Sequence, residues 1–519
     1  TFTAMLLGLG CESPGLRLAG WAALLTLGQD LVLTLWEAGL RRENGRVRLR
    51  RHTRLLTGLG GAIVRCFMRL WLLPYEAWVC LTALLTALWR MTVSHRRLLQ
   101  WTTFAEVRAT ASFAEHVRAM FPCVILGVLL MAFAPEAPGK AAGLVWLISP
   151  ACAAALALPA AQETPLSVRD RDLLHRSLSE CWGFYKELSA SDDHYLPPDN
   201  FQQQPPTGTA HRTSPTNIGL ALASAAALGT AGVIPQAEAL DYIRRMVPTL
   251  ERMEKHRGHF YNWYDTRTLR PLRPRFVSTV DSGNLCAGLI TACAALRHWE
   301  ERELENRLRS LLDAMDFGPL FDKRRELFYI CYDAEKERGA GGWYDLMASE
   351  AMLTSYIALA RSQVPLRHWK RLSRAQLQKD GFRGLASWTG TMFEYLMPML
   401  FLPLYRASLL YESARFCLYV QKRRRLPGKP WGISESAFYS LDAALSYRYK
   451  AHGCPALALK RGQEADLVIA PYASFLALAV EPTAAVRNLR RLRDLGAVGR
   501  WGYIAADLLR SDVEFLSDT

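Results

Sequence analysis

The sequence predicts an all-α protein in which transmembrane helices precede a larger region of alternating helices and loops. Two uncharged stretches, 119–135 and 141–162, are each close to the ~20 apolar residues that cross a bilayer as a helix. From residue 216 onward, apolar residues recur with helical spacing in runs of about 12–20 residues. Half of the 519 residues are hydrophobic and 21% are charged, which excludes a disordered or fibrous chain.

The two uncharged stretches are predicted to form a transmembrane hairpin. The link between them contains Pro138 and Gly139, which favour a tight turn. The alternative is a buried helical hairpin in a large globular domain, but a segment of this length with two charged residues is too apolar for most protein cores. Upstream, 18–40 and 55–89 are weaker span candidates, because carboxylates and arginines interrupt them.

Positive charge is concentrated in the first part of the chain. The formal net charge is +15, and residues 1–162 contain 16 Lys and Arg against 8 Asp and Glu. Segments 41–54 and 90–118 are basic and flank apolar stretches, which favours lipid over nucleic acid as the partner. Because basic loops stay in the cytoplasm, the region from 163 onward is expected to face the cytoplasm. We therefore expect a multi-pass protein of the inner (cytoplasmic) membrane.

Three regions are predicted along the chain. They are a membrane region (1–162, with the hairpin at about 119–162), a linker and entry segment (163–215), and a helical region (216–519). Thr216 is the predicted N-cap of the first helix after the linker. The aromatic stretches 258–265 and 326–333 fit either strands or loop edges. The alternation of helices and loops fits a closed ring of helical hairpins with the loops at one mouth, although no sequence repeat supports the ring.

Several loops between the predicted helices combine carboxylates, aromatic residues and glycines. They are YNWYD (261–265), VDSGN (280–284), GGWYDLMASE (341–350), SWTGTMFEY (387–395), PWGISES (430–436) and RGQEADLVIAPYA (461–473). Sugar rings stack their apolar faces on Trp and Tyr, and their hydroxyl groups bond to polar side chains. Cleavage of a glycosidic bond also requires two carboxyl groups, one as proton donor and one as nucleophile or base. The loops therefore predict a carbohydrate-active site.

Glu350 and Glu435 are the strongest candidates for the two carboxyl groups. Each follows a Ser and is predicted to lie where a loop enters a helix, so a first-turn cap is the structural alternative. Asp281 is a third candidate and is equally consistent with an N-cap. Glu394 lies inside an apolar run and is consistent either with a buried acid of raised pKa or with a paired structural carboxylate.

Four tryptophans of these loops each lie within a few residues of a carboxylate. They are Trp263, Trp343, Trp388 and Trp431. Core packing is the alternative for each one, but four such pairings in loops favour sugar binding. The chain has no Walker loop, dinucleotide-binding motif, HExxH or GxSxG. Its 11 cysteines are scattered without a CxxC pair, so no cofactor or metal is predicted and a reducing compartment is favoured.

Long motifs in these loops resemble the glucoamylase-like middle region of the cyclic β-1,2-glucan synthases. The matching stretches, in the family's order, are LPPDNFQ (196–202), HRTSPTNIGL (211–220), GHFYNWYDTRTLRPL (258–272), VSTVDSGNL (277–285), YDLMASEAMLTSYIA (344–358), SWTGTMFEYLMP (387–398), PWGISESAF (430–438) and LVIAPYA (467–473). The membrane region matches through LPYEAW (73–78) and HRRLLQW (95–101). The resemblance covers about residues 60–510.

The resemblance implies an (α/α)6 barrel and a transglycosylase that closes linear β-1,2-glucan into a ring. It implies that Glu435 is the nucleophile and Glu350 the acid/base of a retaining two-carboxylate mechanism. The residues implied for glucan binding are Arg212, Trp263, Asp281, Trp343, Tyr344, Trp388, Glu394 and Trp431. An Arg is common in the family where this chain has Met352, a departure that bears on affinity or product size.

The family's full synthases also carry a processive glycosyltransferase region and a phosphorylase-like region, and neither is found in this sequence. The chain is therefore expected to be a fragment or a separate relative. Its expected partners are β-1,2-glucan, membrane lipid and those two regions on the same or a partner chain, with no nucleic acid. Two other functions stay open: a hydrolase of linear β-1,2-glucan acting from the same site, and a non-catalytic glucan-binding or assembly module.

Overall fold

The computed structural model describes most of the chain outside its two ends and several connecting segments. The described residues are 13–40, 42–43, 46–47, 58–98, 112–135, 137–157, 165–406, 408–425, 428–443, 445–462 and 468–504. The predicted basic segment 41–54 and the predicted boundary at 162–163 thus lie largely outside them. Backbone contacts divide the chain into two compact units, Thr1–Glu163 (unit 1) and Thr164–Thr519 (unit 2).

Unit 1 is mainly helical. Its elements are α1 (Pro14–Leu27), α2 (Gln29–Leu40), β1 (Arg42–Glu43), β2 (Arg46–Val47), α3 (Gly58–Trp89), α4 (Phe113–Ala119), α5 (Phe121–Phe133) and α6 (Ala137–Ala157). In the described part of the whole chain, three helices are long and apolar enough to cross a membrane, or four if the bent pair α4–α5 counts as one span. Two of the three, Gly61–Ser94 and Ala137–Ala157, lie in unit 1.

Helices α5 and α6 occupy the position of the predicted hairpin and pack closely against each other. A Cβ atom added to Gly127 would lie 2.8 Å from the carbonyl oxygen of Gly143, so the two backbones meet at a pair of glycines. Such small-residue contacts are common between membrane helices. In α2, the Asp30 carboxylate accepts a hydrogen bond from Arg65 of α3 at 3.2 Å. One of the two acidic residues that weaken 18–40 as a span candidate is thus paired with a basic one.

Unit 2 contains eleven helices of five or more residues among its described residues. They are α7 (Val168–Leu188), α8 (Pro215–Thr230), α9 (Gln236–Arg252), α10 (Thr279–His298), α11 (Arg302–Asp313), α12 (Met352–Ala360), α13 (Arg367–Arg371), α14 (Met392–Leu396), α15 (Leu409–Arg424), α16 (Tyr472–Leu476) and α17 (Pro482–Asp494). The predicted cap of α8 is wrong by two residues. Ser214 is the N-cap and accepts from the Asn217 amide at 3.2 Å, because Pro215 occupies the first helical position.

Unit 2 also contains an antiparallel sheet of six strands, so the prediction of an all-α region is incomplete. The strands are β5 (Arg212–Thr213), β8 (Asn262–Asp265), β9 (Pro271–Ser278), β10 (Phe321–Asp322), β11 (Leu327–Asp333) and β12 (Arg338–Tyr344). Their order is β10-β11-β9-β8-β5, and β12 also pairs with β11. The aromatic stretches that fitted either strands or loop edges contribute β8 and β11, where aromatic side chains pack well on a pleated surface.

Five two-stranded ladders complete the strands of unit 2. They are β3 (Phe201–Gln202) with β4 (Gly208–Thr209), β6 (Lys255–His256) with β7 (His259–Phe260), β13 (Gln376–Lys379) with β14 (Phe382–Leu385), β15 (Ser436–Leu441) with β16 (Tyr447–Lys450), and β17 (Val498–Gly499) with β18 (Gly502–Tyr503). The ladder β15–β16 follows directly after the predicted nucleophile, so it bears on the candidate site.

The core of unit 2 is organised around α8 and α10. A Cβ atom added to Gly288 of α10 would lie 2.1 Å from the carbonyl oxygen of Gly219 in α8, so the two helices are in backbone contact. Helix α10 is the third segment apolar enough to cross a membrane, but 78% of its most apolar window is buried inside the protein. Its apolar composition therefore serves the core of unit 2.

Candidate active site

The starts of four helices in unit 2 bring acidic and phenolic side chains together. Asp281 is the third residue of α10, Glu394 is the third residue of α14, and Tyr472 is the first residue of α16. Glu350 lies two residues before α12. The pKa of Glu350 is raised well above its ordinary value by burial and by the nearby negative charges of Glu435, Asp281 and Glu394. The four carboxyl groups thus form one cluster (the acid cluster).

The two predicted catalytic acids both have raised pKa values. Burial, followed by the negative charge of Glu394, raises the pKa of Glu435 to about 7, and a hydrogen bond from Thr391 opposes this rise. Both glutamates keep partial solvent access. Because the charge of Glu435 also raises the pKa of Glu350, the pair favours one ionised Glu435 beside one protonated Glu350 near neutral pH. One proton donor and one anion are what glycosidic chemistry requires.

Two buried amide side chains fix the backbone that leads to Glu435. Gln421 of α15 accepts from the Ile433 amide at 2.9 Å and donates to the Ile433 carbonyl at 2.8 Å. Asn488 of α17 does the same for Trp431, at 3.1 and 2.7 Å. Glu435 was predicted at a loop-to-helix entry, and this is wrong, because the strand β15 begins at the next residue. Its position depends on these clamps rather than on a helix cap.

Two tyrosines that the sequence did not single out contact Glu435. The Tyr449 hydroxyl, on β16, donates to Glu435 Oε2. The Tyr472 hydroxyl donates to the Glu435 backbone carbonyl at 2.8 Å and shares a hydrogen bond with Ser434 Oγ at 2.9 Å. Tyr472 lies in the motif LVIAPYA, so the sequence offered a way to identify it. No sequence pattern points to Tyr449, because its approach to Glu435 depends on the pairing of β15 with β16, where Ala437 lies opposite Tyr449.

Glu394 is buried, and its carboxylate is held by its own loop. The carboxylate accepts hydrogen bonds from side chains and backbone amides of residues 387–391, which precede and begin the turn into α14. Tyr344, at the end of β12, lies beside the cluster, since the charges of Glu350 and Asp281 act with burial to raise the pKa of its hydroxyl. The structure therefore brings together five of the predicted site residues: Asp281, Tyr344, Glu350, Glu394 and Glu435.

The four tryptophans differ sharply in accessibility. Trp388 is 59% exposed, and its loop is anchored to the acid cluster through Glu394. Trp343 is half-buried, with the Arg325 guanidinium 3.9 Å from its ring centroid and its indole N–H donating to Asp322. Trp431 is only 3% exposed and packs in the core, so the expectation that it stacks on a sugar is wrong: its ring has no free face.

Arg212 and Trp263 form a pair at the β5–β8 edge of the sheet. The Arg212 guanidinium lies 5.3 Å from the Trp263 ring centroid and donates to Asp199 Oδ2 at 2.8 Å. Both side chains remain at least partly exposed. Within the described residues, the recorded side-chain contacts of this pair are with each other and with Asp199, and none of them reaches the acid cluster. Met352 is 2% exposed in the core at the start of α12.

Sequence comparison identifies similar proteins. The family model Glycoamylase matches residues 342–516, which contain both predicted catalytic glutamates. The cyclic β-(1,2)-glucan synthase NdvB of Rhizobium meliloti is 30% identical over an alignment that covers 89% of this chain and 21% of that protein. The predicted resemblance is confirmed. The chain spans about a fifth of the length of this relative.

Structural comparison agrees on the fold. The endo-β-1,2-glucanase of Chitinophaga pinensis, solved with sophorotriose and glucose, has a TM-score of 0.52 at 14% identity, covering 66% of this chain and 86% of that chain. The endo-β-1,2-glucanase of Talaromyces funiculosus, solved with sophorose, has a TM-score of 0.54 at 13% identity, covering 64% and 78%. The helix-rich fold thus resembles the glucoamylase-like and β-1,2-glucanase (α/α)6 type. Together with the sequence matches, this supports the predicted class of carbohydrate-active enzyme.

Proposed function

We propose that unit 2 is a retaining transglycosylase that converts linear β-1,2-glucan into cyclic β-1,2-glucan. The observation that carries the proposal is the acid cluster, in which burial and neighbouring negative charges raise the pKa values of Glu350 and Glu435. The similarity to a cyclic β-(1,2)-glucan synthase supplies the linkage and the product. Glycosyltransferase and phosphorylase-like regions, on the same or a partner chain, would make it one part of a larger synthase.

In the first step, ionised Glu435 attacks the anomeric carbon and protonated Glu350 donates its proton to the departing glycosidic oxygen. This produces a covalent glycosyl-enzyme and frees the reducing-end portion of the chain. In the second step, a 2-hydroxyl at the non-reducing end of the same glucan attacks the anomeric carbon, the ester bond to Glu435 breaks and frees its carboxylate, and Glu350 takes the hydroxyl proton. Two inversions give net retention, so one β-1,2 bond is exchanged for another without added water.

Glucan binding is assigned to the accessible members of the predicted set. The exposed ring of Trp388 can stack on a sugar face beside the cluster, while Asp281 and Tyr344 can bond to sugar hydroxyls within it. Arg212 and Trp263 present a second aromatic and polar surface for a more distant part of the chain. Transfer requires that the acceptor hydroxyl reaches the intermediate before water does, and a bound glucan over Glu435 would favour this.

A hydrolase of linear β-1,2-glucan is the second candidate, because the similar solved structures include endo-β-1,2-glucanases. The same two acids would serve, with water in place of the acceptor hydroxyl. A non-catalytic glucan-binding module is the third, and it would leave the raised pKa values of the acid cluster without a role. The three candidates differ in their products and are therefore separable by one incubation.

The decisive incubation uses the chain with linear β-1,2-glucan and follows reducing ends and product masses. Cyclic products without new reducing ends support transglycosylation, rising reducing sugar supports hydrolysis, and binding without turnover supports the module. We expect Glu435→Gln to abolish turnover while glucan binding persists. The matched control, Glu335→Gln, changes an exposed glutamate in the turn between β11 and β12 and should leave turnover unchanged. Undiminished turnover in Glu435→Gln would remove it as nucleophile.

We further propose that unit 1 anchors the protein in the inner membrane by several spans, including the α5–α6 hairpin, and contacts lipid there. Unit 2 is proposed to face the cytoplasm, as the basic loops of the sequence predict. A protease added outside sealed vesicles of native orientation should then spare residues beyond 163. Cleavage within unit 2 under these conditions would contradict the cytoplasmic placement.

A further inference from the structure

Glu394 receives more hydrogen bonds than one carboxylate can accept at full strength. Its Oε1 accepts from the backbone amides of Trp388 and Thr389, both at 3.1 Å. Its Oε2 accepts from the hydroxyls of Ser387 (2.9 Å) and Thr389 (2.8 Å) and from the Thr391 amide (3.0 Å). A carboxylate offers about four lone-pair sites, and these five donors already fill them. All the donors come from the segment 387–391.

The Thr391 hydroxyl is therefore a surplus donor for Glu394. It lies 3.2 Å from Glu394 Oε2 and 3.4 Å from Glu435 Oε1, and it accepts from the Glu394 amide at 3.2 Å. A hydroxyl has one proton and donates to one acceptor at a time. Because Glu394 is satisfied without it, this proton is available to Glu435. The capping box between Thr391 and Glu394 at the start of α14 fixes the direction of the hydroxyl.

We propose that Glu394 is a positioning residue for the proposed reaction: it organises the 387–391 loop so that the Thr391 hydroxyl donates to Glu435, and it holds a negative charge against that carboxylate. This inference rests on the proposed function and changes the role of Glu394 predicted from sequence, which was to bind substrate. Both Glu394 oxygens are engaged within the protein, and neither is left for a sugar hydroxyl. The same loop carries the exposed ring of Trp388. The buried Glu394 carboxylate therefore positions both the hydroxyl that donates to Glu435 and an exposed aromatic ring.

The charge of Glu394 is held by hydrogen bonds rather than by a cation. No Lys or Arg of the described residues forms an ion pair with Glu394. Among the residues that the structure describes, the titratable groups linked to Glu435 by charge or by a hydrogen bond include Glu394, Glu350, Tyr344, Tyr449 and Tyr472. After burial, the negative charge of Glu394 raises the pKa of Glu435, and the Thr391 hydroxyl lowers it. The two parts of the arrangement therefore act in opposite directions on the same carboxyl group.

Glu394 and Thr391 shift the pKa of Glu435 in opposite directions, and this gives a test that a merely structural role would not pass. Glu394→Gln removes the charge and should move the acidic limb of the kcat/KM–pH profile to lower pH. Thr391→Val removes the hydroxyl at nearly constant shape and should move that limb to higher pH, while Thr391→Ser keeps the hydroxyl and should restore the wild-type midpoint. If Glu394→Gln does not fold, the Thr391 pair carries the test.

A second readout does not depend on turnover. Carbodiimides activate protonated carboxyl groups, so the amidation of Glu435 by glycinamide, measured against pH by peptide mass spectrometry, reports its protonation directly. We expect the amidation midpoints to shift in the same two directions as the activity limbs. Unchanged midpoints in both Glu394→Gln and Thr391→Val would overturn the inference, whereas shifted midpoints in a protein without turnover would contradict only the proposed function.

Discussion

Replacement of Glu435 by Gln should stabilise the folded protein, and more at pH 8 than at pH 5. Folding raises the pKa of Glu435 from 4.5 to about 7, so the folded state binds a proton that the unfolded state has released. Stability is therefore lost as pH rises from the ordinary pKa toward the raised one, and the loss is complete above it. The rise in the pKa of Glu435 from 4.5 to about 7 corresponds to about 3 kcal/mol in total, most of which is lost between pH 5 and pH 8.

The substitution removes this pH-dependent cost because Gln does not ionise. Gln retains one oxygen that can accept from Thr391 or Tyr449, and the loss of one hydrogen bond offsets the gain by about 1 kcal/mol at every pH. The difference in stabilisation between pH 5 and pH 8 is independent of that constant offset. Loss of the Glu435 charge also removes one of the charges that raise the pKa of Glu350, and this stabilises the folded state further. An acid held in an unfavourable environment is a common feature of active sites.

The assay is thermal unfolding of wild type and Glu435→Gln at pH 5, 6, 7 and 8, with Glu335→Gln as the matched surface control. We expect the Tm difference between Glu435→Gln and wild type to grow by several degrees from pH 5 to pH 8. The control should show no growth with pH. A Tm difference for Glu435→Gln that is the same at pH 5 and pH 8 would refute the raised pKa and the electrostatic argument built on it.

Three further predictions follow from the structure. Below about pH 7, kcat/KM should fall about tenfold per pH unit as Glu435 is protonated, and a flat profile down to pH 5.5 would contradict this. Gly288→Ala should lower the free energy of unfolding by at least about 1–3 kcal/mol, because its methyl group would overlap the Gly219 backbone; denaturant titration measures this. Trp388→Ala should weaken glucan binding with little effect on Tm, whereas Trp431→Ala should lower Tm, since the first ring is exposed and the second is core. Calorimetric binding and thermal scans separate those two outcomes, and the reverse pattern would contradict the assignment.

Local patterns in the sequence predicted the helices of unit 2 and the α5–α6 pair well, because apolar periodicity and a Pro-Gly turn determine such elements over short distances. The carboxylates of the acid cluster were also found from sequence. Asp281, Glu350 and Glu394 each lie within three residues of a helix start, and the long motifs around them supplied the resemblance. Their convergence required the tertiary fold, which no local pattern describes.

The failures have a common physical cause, which is dependence on distant residues. Trp431 looked like a sugar-stacking residue, yet it is enclosed in the core and clamped by Asn488, 57 positions further along the chain. The sheet was underestimated because its strands pair across long separations, as in β5 with β8. Tyr449 reaches Glu435 only through the β15–β16 ladder. For Glu394 the sequence leaves a buried acid and a paired structural carboxylate equally open, because its donors become visible only when the loop is folded.

The most direct test of the account is the fate of solvent oxygen when the chain acts on linear β-1,2-glucan in water enriched in ¹⁸O. Transfer between Glu435 and a glucan hydroxyl adds no water to the product. We therefore predict cyclic glucans composed of a whole number of anhydroglucose units, with no ¹⁸O incorporated, and no such products from Glu435→Gln or Glu350→Gln. Linear products that carry ¹⁸O at a new reducing end would show that water attacks the intermediate and would contradict transglycosylation.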